Sequence, residues 1–199
     1  AELSYLAERS NVAKIIYLSS SSVYGARNKK MDKTIEPKPT SHYGISKLNG
    51  EKMLNRLRDE KKIYIIRSGN VYGYSRSMRF DSVINKFMFY SHHLNMVTVY
   101  GKGDQKRAFI HIDRLASFLA ELSFIDLEPG LYDFVQRNLS IEEIVQSLKE
   151  IYPNLESLYI SQDLEMNSIQ IAKDNGIPLK YLESEITFED EMKLFKTYF

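Results

Sequence analysis

The chain has 199 residues, with 27 basic and 26 acidic side chains and a net charge of +1. That balance carries no electrostatic footprint for nucleic acid or an anionic membrane, and the lack of cysteine removes disulfides, thiolate nucleophiles and cysteine-ligated metals. No apolar run approaches the length of a bilayer span, and the opening AELSYLAERSNVAK is amphipathic rather than leader-like, so a soluble, cytoplasmic globular protein is expected.

In chain order, residues 2–9 carry Leu3, Leu6 and Ala7 on one helical stripe. Residues 12–18 form a β-branched, apolar run that predicts a buried strand, and it delivers Ser19, Ser20, Ser21 and Ser22 at its carboxyl end. The polar stretch 26–40, with Pro37 and Pro39, is long enough for a functional lid. Ser41 is placed to cap a helix over residues 43–59, with Ile45, Leu48, Leu54 and Leu57 inward. On that helix Tyr43 and Lys47, four residues apart, share a face. A second buried strand is expected at 63–67, followed at once by a loop, S-G-N-V-Y-G.

Further on, the pattern predicts a helix at 80–90, a strand at 97–100, a G-K-G-D turn and an extended piece at 109–112. A helix capped by Asp113 then runs to 124, a strand covers 131–135, and Ser140 caps a helix to Lys149. The end of the chain reads as extended at 158–161, helical at 167–174 and helical at 188–199. Strands alternating with helices argue for an α/β parallel sheet with a more irregular α/β lobe behind it.

A hydroxyl at a strand end, facing a Tyr/Lys pair on the next helix, suits proton transfer coupled to redox chemistry. A phenol is a poor base at neutrality unless a nearby cation favours its ionised form. Each motif also has a plainer reading: Tyr43 stacked on a lysine stem, a serine-rich turn satisfying strand-end backbone, Asn70 in a tight turn, a solvated Arg107. His42, His92, His93 and His111 have no metal-ligand spacing and read as structural or exposed.

L-S-S-S-S-V-Y-G (18–25), Y-G-I-S-K (43–47), R-S-G-N-V-Y-G (67–73) and V-Y-G-K-G-D-Q-K-R-A-F-I-H-I-D (99–113) stand in one order along the chain, with a weaker L-Y-D-F at 131–134. In these segments the sequence resembles the extended short-chain dehydrogenases/reductases, and within them the NAD-dependent nucleotide-sugar epimerases and dehydratases. The resemblance implies the C-terminal part of a doubly wound Rossmann-type parallel sheet plus a smaller α/β substrate-binding lobe. Residues 1–73 would be the remainder of the dinucleotide-binding domain, and 74–199 mainly the nucleotide-sugar lobe. The nine glycines form no pyrophosphate-gripping fingerprint; Gly101-x-Gly103 has no third member. The chain thus looks like a family member without about its first hundred residues.

Carried over residue by residue, the resemblance implies Tyr43 as base, Lys47 as its electrostatic helper and Ser20 as the hydroxyl that steadies the sugar oxygen. Tyr43, Lys47 and Ser19 would contact NAD or NADP. Ser21, Ser22, Asn70 and Arg107 would contact a nucleoside-diphosphate sugar, with Arg107 clamping phosphate through its fork of donors. The dehydratase branch has Asp-Glu just after the catalytic hydroxyl, where this chain has Ser21 and Ser22. That favours an epimerase or 4-keto reductase over a 4,6-dehydratase. The Arg-x-x-Asp that relatives use near the C-terminus has no counterpart in S-Q-D-L-E-M-N, so Asp163 is not assigned a role. The helices at 2–9 and 43–59 resemble a pair that forms a four-helix homodimer interface. Two other expectations stand beside the enzyme: a truncated, non-catalytic nucleotide-sugar-binding fragment, and a redox-sensing relative that binds dinucleotide without chemistry.

Overall fold

The computed structural model describes residues 2–27, 29–174 and 176–199. Its elements are α1 (Glu2–Glu8), β1 (Lys14–Ser20), a 3-10 turn (Ser21–Tyr24), β2 (Lys30–Met31), α2 (His42–Asn55), β3 (Lys62–Ser68), β4 (Asn70–Tyr72), α3 (Val83–Leu94) and β5 (Met96–Tyr100). They continue through β6 (Lys106–His111), α4 (Ile112–Glu121), β7 (Gly130–Phe134), β8 (Arg137–Ser140), α5 (Ile141–Ile151), β9 (Glu156–Ile160), β10 (Gln170–Ile171), α6 (Leu179–Leu182) and α7 (Phe188–Lys196).

Three parallel strands in the order β1-β3-β7 form the sheet that positions the site. Residues 63–68 of β3 are buried on both faces, as expected of a parallel strand covered on both sides. One side packs Leu54 and Leu57 against Ile63 and Ile65. The other packs Tyr64 and Ile66 against Leu115, Phe118 and Leu122 of and just beyond α4. The register sets Ser20 beside Ser68, so the carboxyl ends of β1 and β3 finish level.

The chain leaves β3 through Gly69 into β4, which pairs with β6; β6 pairs antiparallel with β8. This sheet, the parallel pair β5/β9 and helices α3, α5 and α7 share a second core around Ile84, Phe87, Met88, Val97, Val99, Ile144, Leu148 and Met192. The terminal helix is also held by a buried polar cluster. Glu191 accepts from the Tyr72 hydroxyl (2.5 Å) and Gln136 Nε2 (3.1 Å), and pairs with Arg137 (3.0 Å). Among the described residues no helix is long and apolar enough to cross a membrane.

Several expectations change. Residues 167–174 are not helical: Gln170–Ile171 form β10, which pairs with β2, and Asn138 clips Ile171 at both its N–H (2.8 Å) and its carbonyl (2.9 Å). Tertiary partners there replace the hydrogen bonds that a helix would have supplied. Stretch 26–40 is pinned rather than free, because fully buried Met31 and β2 anchor it on β10; Asn28, inside it, lies outside the described residues. Helix α2 stops at Asn55, and α3 starts at Val83.

The cap of α4 is His111, whose Nδ1 accepts from the Asp113 N–H (3.3 Å), not Asp113 itself. Burial pushes the pKa of that imidazole down, favouring the neutral acceptor. Ile45 faces out at 43 % exposure, because the inward stripe of α2 runs through Gly44, Glu51 and Leu54. Leu3, expected on the buried stripe of α1, has its side chain outside the described residues.

Candidate active site

The serine turn and the start of α2 meet at the carboxyl end of β1. Ser41 Oγ accepts from the Gly44 N–H (3.1 Å), which starts the helix beside that turn. Gly44 allows the approach: a Cβ there would lie 2.8 Å from the Ser22 carbonyl oxygen and 2.9 Å from Pro39 Cβ. One turn later Lys47 Nζ donates to the Leu18 carbonyl (2.9 Å) and sits 5.7 Å from the Tyr43 ring centroid. Tyr43 is 54 % exposed, and its hydroxyl has no hydrogen-bond partner among the described residues. Ser20 Oγ accepts from the Ser22 N–H (3.2 Å) and the Ser22 hydroxyl (3.0 Å). Tyr43, Lys47, Ser20 and Ser22 thus belong to one strand-end constellation.

Ser19 and Ser21 turn inward instead, at 2 % and 4 % exposure. The Ser19 hydroxyl, expected at the cofactor, donates to Glu51 Oε1 (2.5 Å) inside the protein. Glu51 also accepts a two-pronged bond from Arg67, Nε to Oε1 at 2.9 Å and Nη2 to Oε2 at 2.6 Å. Arg67 lies 4.7 Å from the Tyr24 ring centroid, and the Tyr24 hydroxyl donates to Asp133 (2.9 Å). Burial is the main cause that pushes the Tyr24 phenol up and the Asp133 carboxyl up to about 6. This chain of polar groups ties the serine turn, α2, β3 and β7 together behind the open face. Sequence reasoning missed Glu51 and Arg67, although Tyr43, Lys47 and Glu51 follow one another at four-residue steps along α2.

Asn70 and Arg107, far apart in sequence, line one cavity of about 350 Å³ between α3, β5 and β6. Asn70 starts β4, two residues past the Ser68 that pairs with Ser20, and its Nδ2 donates to the Ala108 carbonyl (3.1 Å). Arg107 Nη1 donates to the carbonyls of Lys106 (2.9 Å) and Asn167 (2.7 Å). Burial pushes the Arg107 pKa below its ordinary value. Among the described residues no carboxylate lies within ion-pair distance of it. A larger cavity, about 810 Å³, lies between α4 and α7 and contains none of the predicted site residues.

Residues 2–122 match the NAD dependent epimerase/dehydratase family. The chain belongs to that family. Among curated relatives, it is 29 % identical over 163 residues to the human (Homo sapiens) dTDP-D-glucose 4,6-dehydratase, covering 80 % of this chain and 45 % of that protein. It is 28 % identical over 185 residues to GDP-6-deoxy-D-talose 4-dehydrogenase of Aggregatibacter actinomycetemcomitans, covering 86 % of this chain and 59 % of the other. The chain therefore spans about half the length of these relatives. In fold it resembles UDP-glucuronic acid 4-epimerase from Bacillus cereus, solved with UDP-glucuronic acid and NAD: TM-score 0.83, 21 % identity, 99 % of this chain and 64 % of that one. MoeE5, solved with UDP-glucose and NAD, gives TM-score 0.83 at 21 % identity, over 98 % of this chain and 68 % of that one.

Proposed function

We propose that this chain is the proton-handling and substrate-holding part of an NAD(P)-dependent epimerase or 4-keto reductase acting on a nucleoside-diphosphate sugar. The observation that carries the reading is the docking of α2 on the serine turn at Gly44, which leaves Tyr43 exposed at the start of the helix with the Lys47 ammonium near its ring and tethered to Leu18. The residues fit the nicotinamide-ribose end of the cofactor, since Tyr43 has a free hydroxyl and Lys47 keeps donors beyond the one given to Leu18. Bound there, NAD(P) supplies the acceptor and donor of hydride. Tyr43 takes the proton from the sugar hydroxyl at its phenolic oxygen and later returns it. Lys47 stabilises the charge that develops on that oxygen, and Ser20 holds the sugar oxygen in line. Asn70 and Arg107 hold the diphosphate so that the sugar ring can turn without leaving.

With Ser21 and Ser22 after the hydroxyl and no carboxylic acid there, this reading favours epimerisation or reduction over loss of water. In the full-length protein, Tyr43→Phe is expected to lower turnover at least about 100-fold with nucleotide binding nearly unchanged; a normal rate would remove Tyr43 as base. The exposed Tyr5, Leu6 and Ile45 of α1 and α2 support a homodimer through these helices. Sedimentation of Ile45→Glu as a monomer, against a dimeric parent, would bear this out; a monomeric parent would sink it.

A second reading has its own observation. Gly101 and Gly103, both at positive φ (74° and 82°), turn the chain from β5 into strand β6, not into a helix N-terminus that could cradle a pyrophosphate. On this reading the 199 residues alone bind a nucleoside diphosphate but show no turnover. Calorimetric titration with NAD⁺, UDP, GDP and dTDP tests both readings. One nucleoside diphosphate binding clearly, with NAD⁺ weak or silent, supports the substrate-holding role; silence from all three diphosphates overturns it.

A further inference from the structure

Lys47 reaches the end of β1 past an aromatic ring to which no role has been given. Tyr17 lies in the middle of β1, on the same strand face as Ser19, and packs on the cluster that Leu54 of α2 forms with Ile63 and Ile65. Its hydroxyl donates to the Lys47 carbonyl in a long contact of 3.4 Å. Lys47 Nζ lies 5.3 Å from the Tyr17 ring centroid and 5.7 Å from that of Tyr43. It donates to the carbonyl of Leu18, the next residue along β1 (2.9 Å). The lysine is therefore met at both ends by residues 17 and 18, and its ammonium stands within cation–π distance of two rings.

Gly50 is the second observation. A Cβ there would lie 2.2 Å from Tyr17 Oη and 2.6 Å from Cζ, so any side chain would displace the ring. Glycine inside a helix is unfavourable, and here the missing side chain is the space that the ring occupies. The charge balance is the third. Burial, then the Glu51 carboxylate and the Tyr43 phenol, push the Tyr17 pKa up, so the ring is neutral at working pH. Glu51, the next acid along α2, is taken by Arg67 and Ser19. Among the described residues Lys47 has no carboxylate within ion-pair distance. A carboxylate in the place of the ring would neutralise the charge that Tyr43 needs nearby; a neutral π face orients the ammonium and leaves that charge available.

We infer that Tyr17 is a positioning residue for Lys47: its ring confines the ammonium between β1 and Tyr43 without a counter-ion, and Gly50 supplies the room for that ring. The Leu18 carbonyl engages one of the three ammonium donors and leaves the long stem free to pivot about that bond. The Tyr17 ring closes the side toward which it would pivot. The inference rests on the proposed function, which gives Lys47 its task, and adds the residue that aims it.

The test labels the chain with a trace of acetic anhydride and reads acetylation of Lys47 by mass spectrometry against Lys52, an exposed lysine on the same helix. Tyr17→Leu is expected to raise the Lys47-to-Lys52 ratio about fivefold, whereas Tyr17→Phe, which keeps the ring, stays within about twofold of the parent. Gly50→Ala displaces the ring without removing it and should raise the ratio as well, which keeps the inference testable if Tyr17→Leu folds poorly. The double variant Gly50→Ala with Tyr17→Leu should label Lys47 no faster than Tyr17→Leu alone, because both act on one contact. In the full-length protein, Tyr17→Leu should lower kcat about fivefold with KM nearly unchanged, and Tyr17→Phe should recover most of that loss. A normal rate in Lys47→Met would sink the proposed function. If Lys47→Met slows turnover while neither Tyr17→Leu nor Gly50→Ala moves the labelling ratio, the inference fails and the function stands. Equal rises at Lys47 and Lys52 would mean that α2 as a whole has loosened, which would make Tyr17 a packing residue and also overturn the inference.

Discussion

The two halves of the candidate site treat polar groups in opposite ways. Behind the serine turn, buried charges and hydroxyls are mutually satisfied: Ser19 and Arg67 on Glu51, Tyr24 on Asp133, and the Asp133 N–H on Asp174 (3.1 Å). In the cavity of about 350 Å³ lined by Asn70 and Arg107, Arg107 and Lys86 lack counter-ions and Gln105 Oε1 lacks a donor among the described residues. A closed network fixes geometry and rigidifies its surroundings. An open one stores unsatisfied capacity that a ligand can use. On the proposed function, positioning falls to the first region and recognition to the second.

The contrast breaks most clearly at the buried ion pair. Glu51→Leu leaves the Arg67 guanidinium uncompensated and is expected to cost about 3–5 kcal/mol, whereas Glu51→Leu with Arg67→Met recovers most of that loss. Urea denaturation of both variants checks it; equal destabilisation in single and double variants would show that the pair matters for more than mutual neutralisation. Next in size, Gly44→Ala forces a methyl against the Ser22 carbonyl and Pro39, and should cost on the order of 1–3 kcal/mol. It should also shift Tyr43 against the serine turn, so that, on the proposed function, turnover falls further than Tm would suggest. A wild-type rate in Gly44→Ala would show that the close approach has no part in aligning Tyr43.

Asp133 sharpens the comparison through pH. Its folded pKa, about 6, stands above the ordinary 3.8, chiefly because burial disfavours the charged form. The native protein thus holds that proton more tightly than the unfolded chain. The resulting stability is full below about pH 4, is lost as pH rises through about 6, and stays lost above. Asp133→Asn should therefore raise stability by about 1–3 kcal/mol at pH 7 and make little difference at pH 3.5. Thermal melts across that range test it. A gain that does not change with pH would place the effect in packing or in the Tyr24 hydrogen bond rather than in the charge.

Most of the element list was legible because it rests on local rules. Ser41 and Ser140 cap their helices as their spacing demands, Ser140 with Glu143 in a reciprocal pair. The apolar runs at β1 and β3 are strands, and Tyr43 and Lys47 share a helical face because four residues make about one turn. Asn70 and Arg107, which the resemblance expects on one diphosphate, line one cavity.

What sequence alone determined, then, were the periodicities, the caps and the motif order, since each depends on residues within a turn or two of one another. Tertiary structure decided the rest. It turned residues 170–171 into a strand by offering Asn138 and β2 as partners, and it spent Ser19 on Glu51 while leaving Ser20 at the open end. It also left Gln105 Oε1 without a donor, among the described residues, beside the cavity that Arg107 lines. Those outcomes depend on which polar groups find a partner across long loops, and no local pattern encodes that.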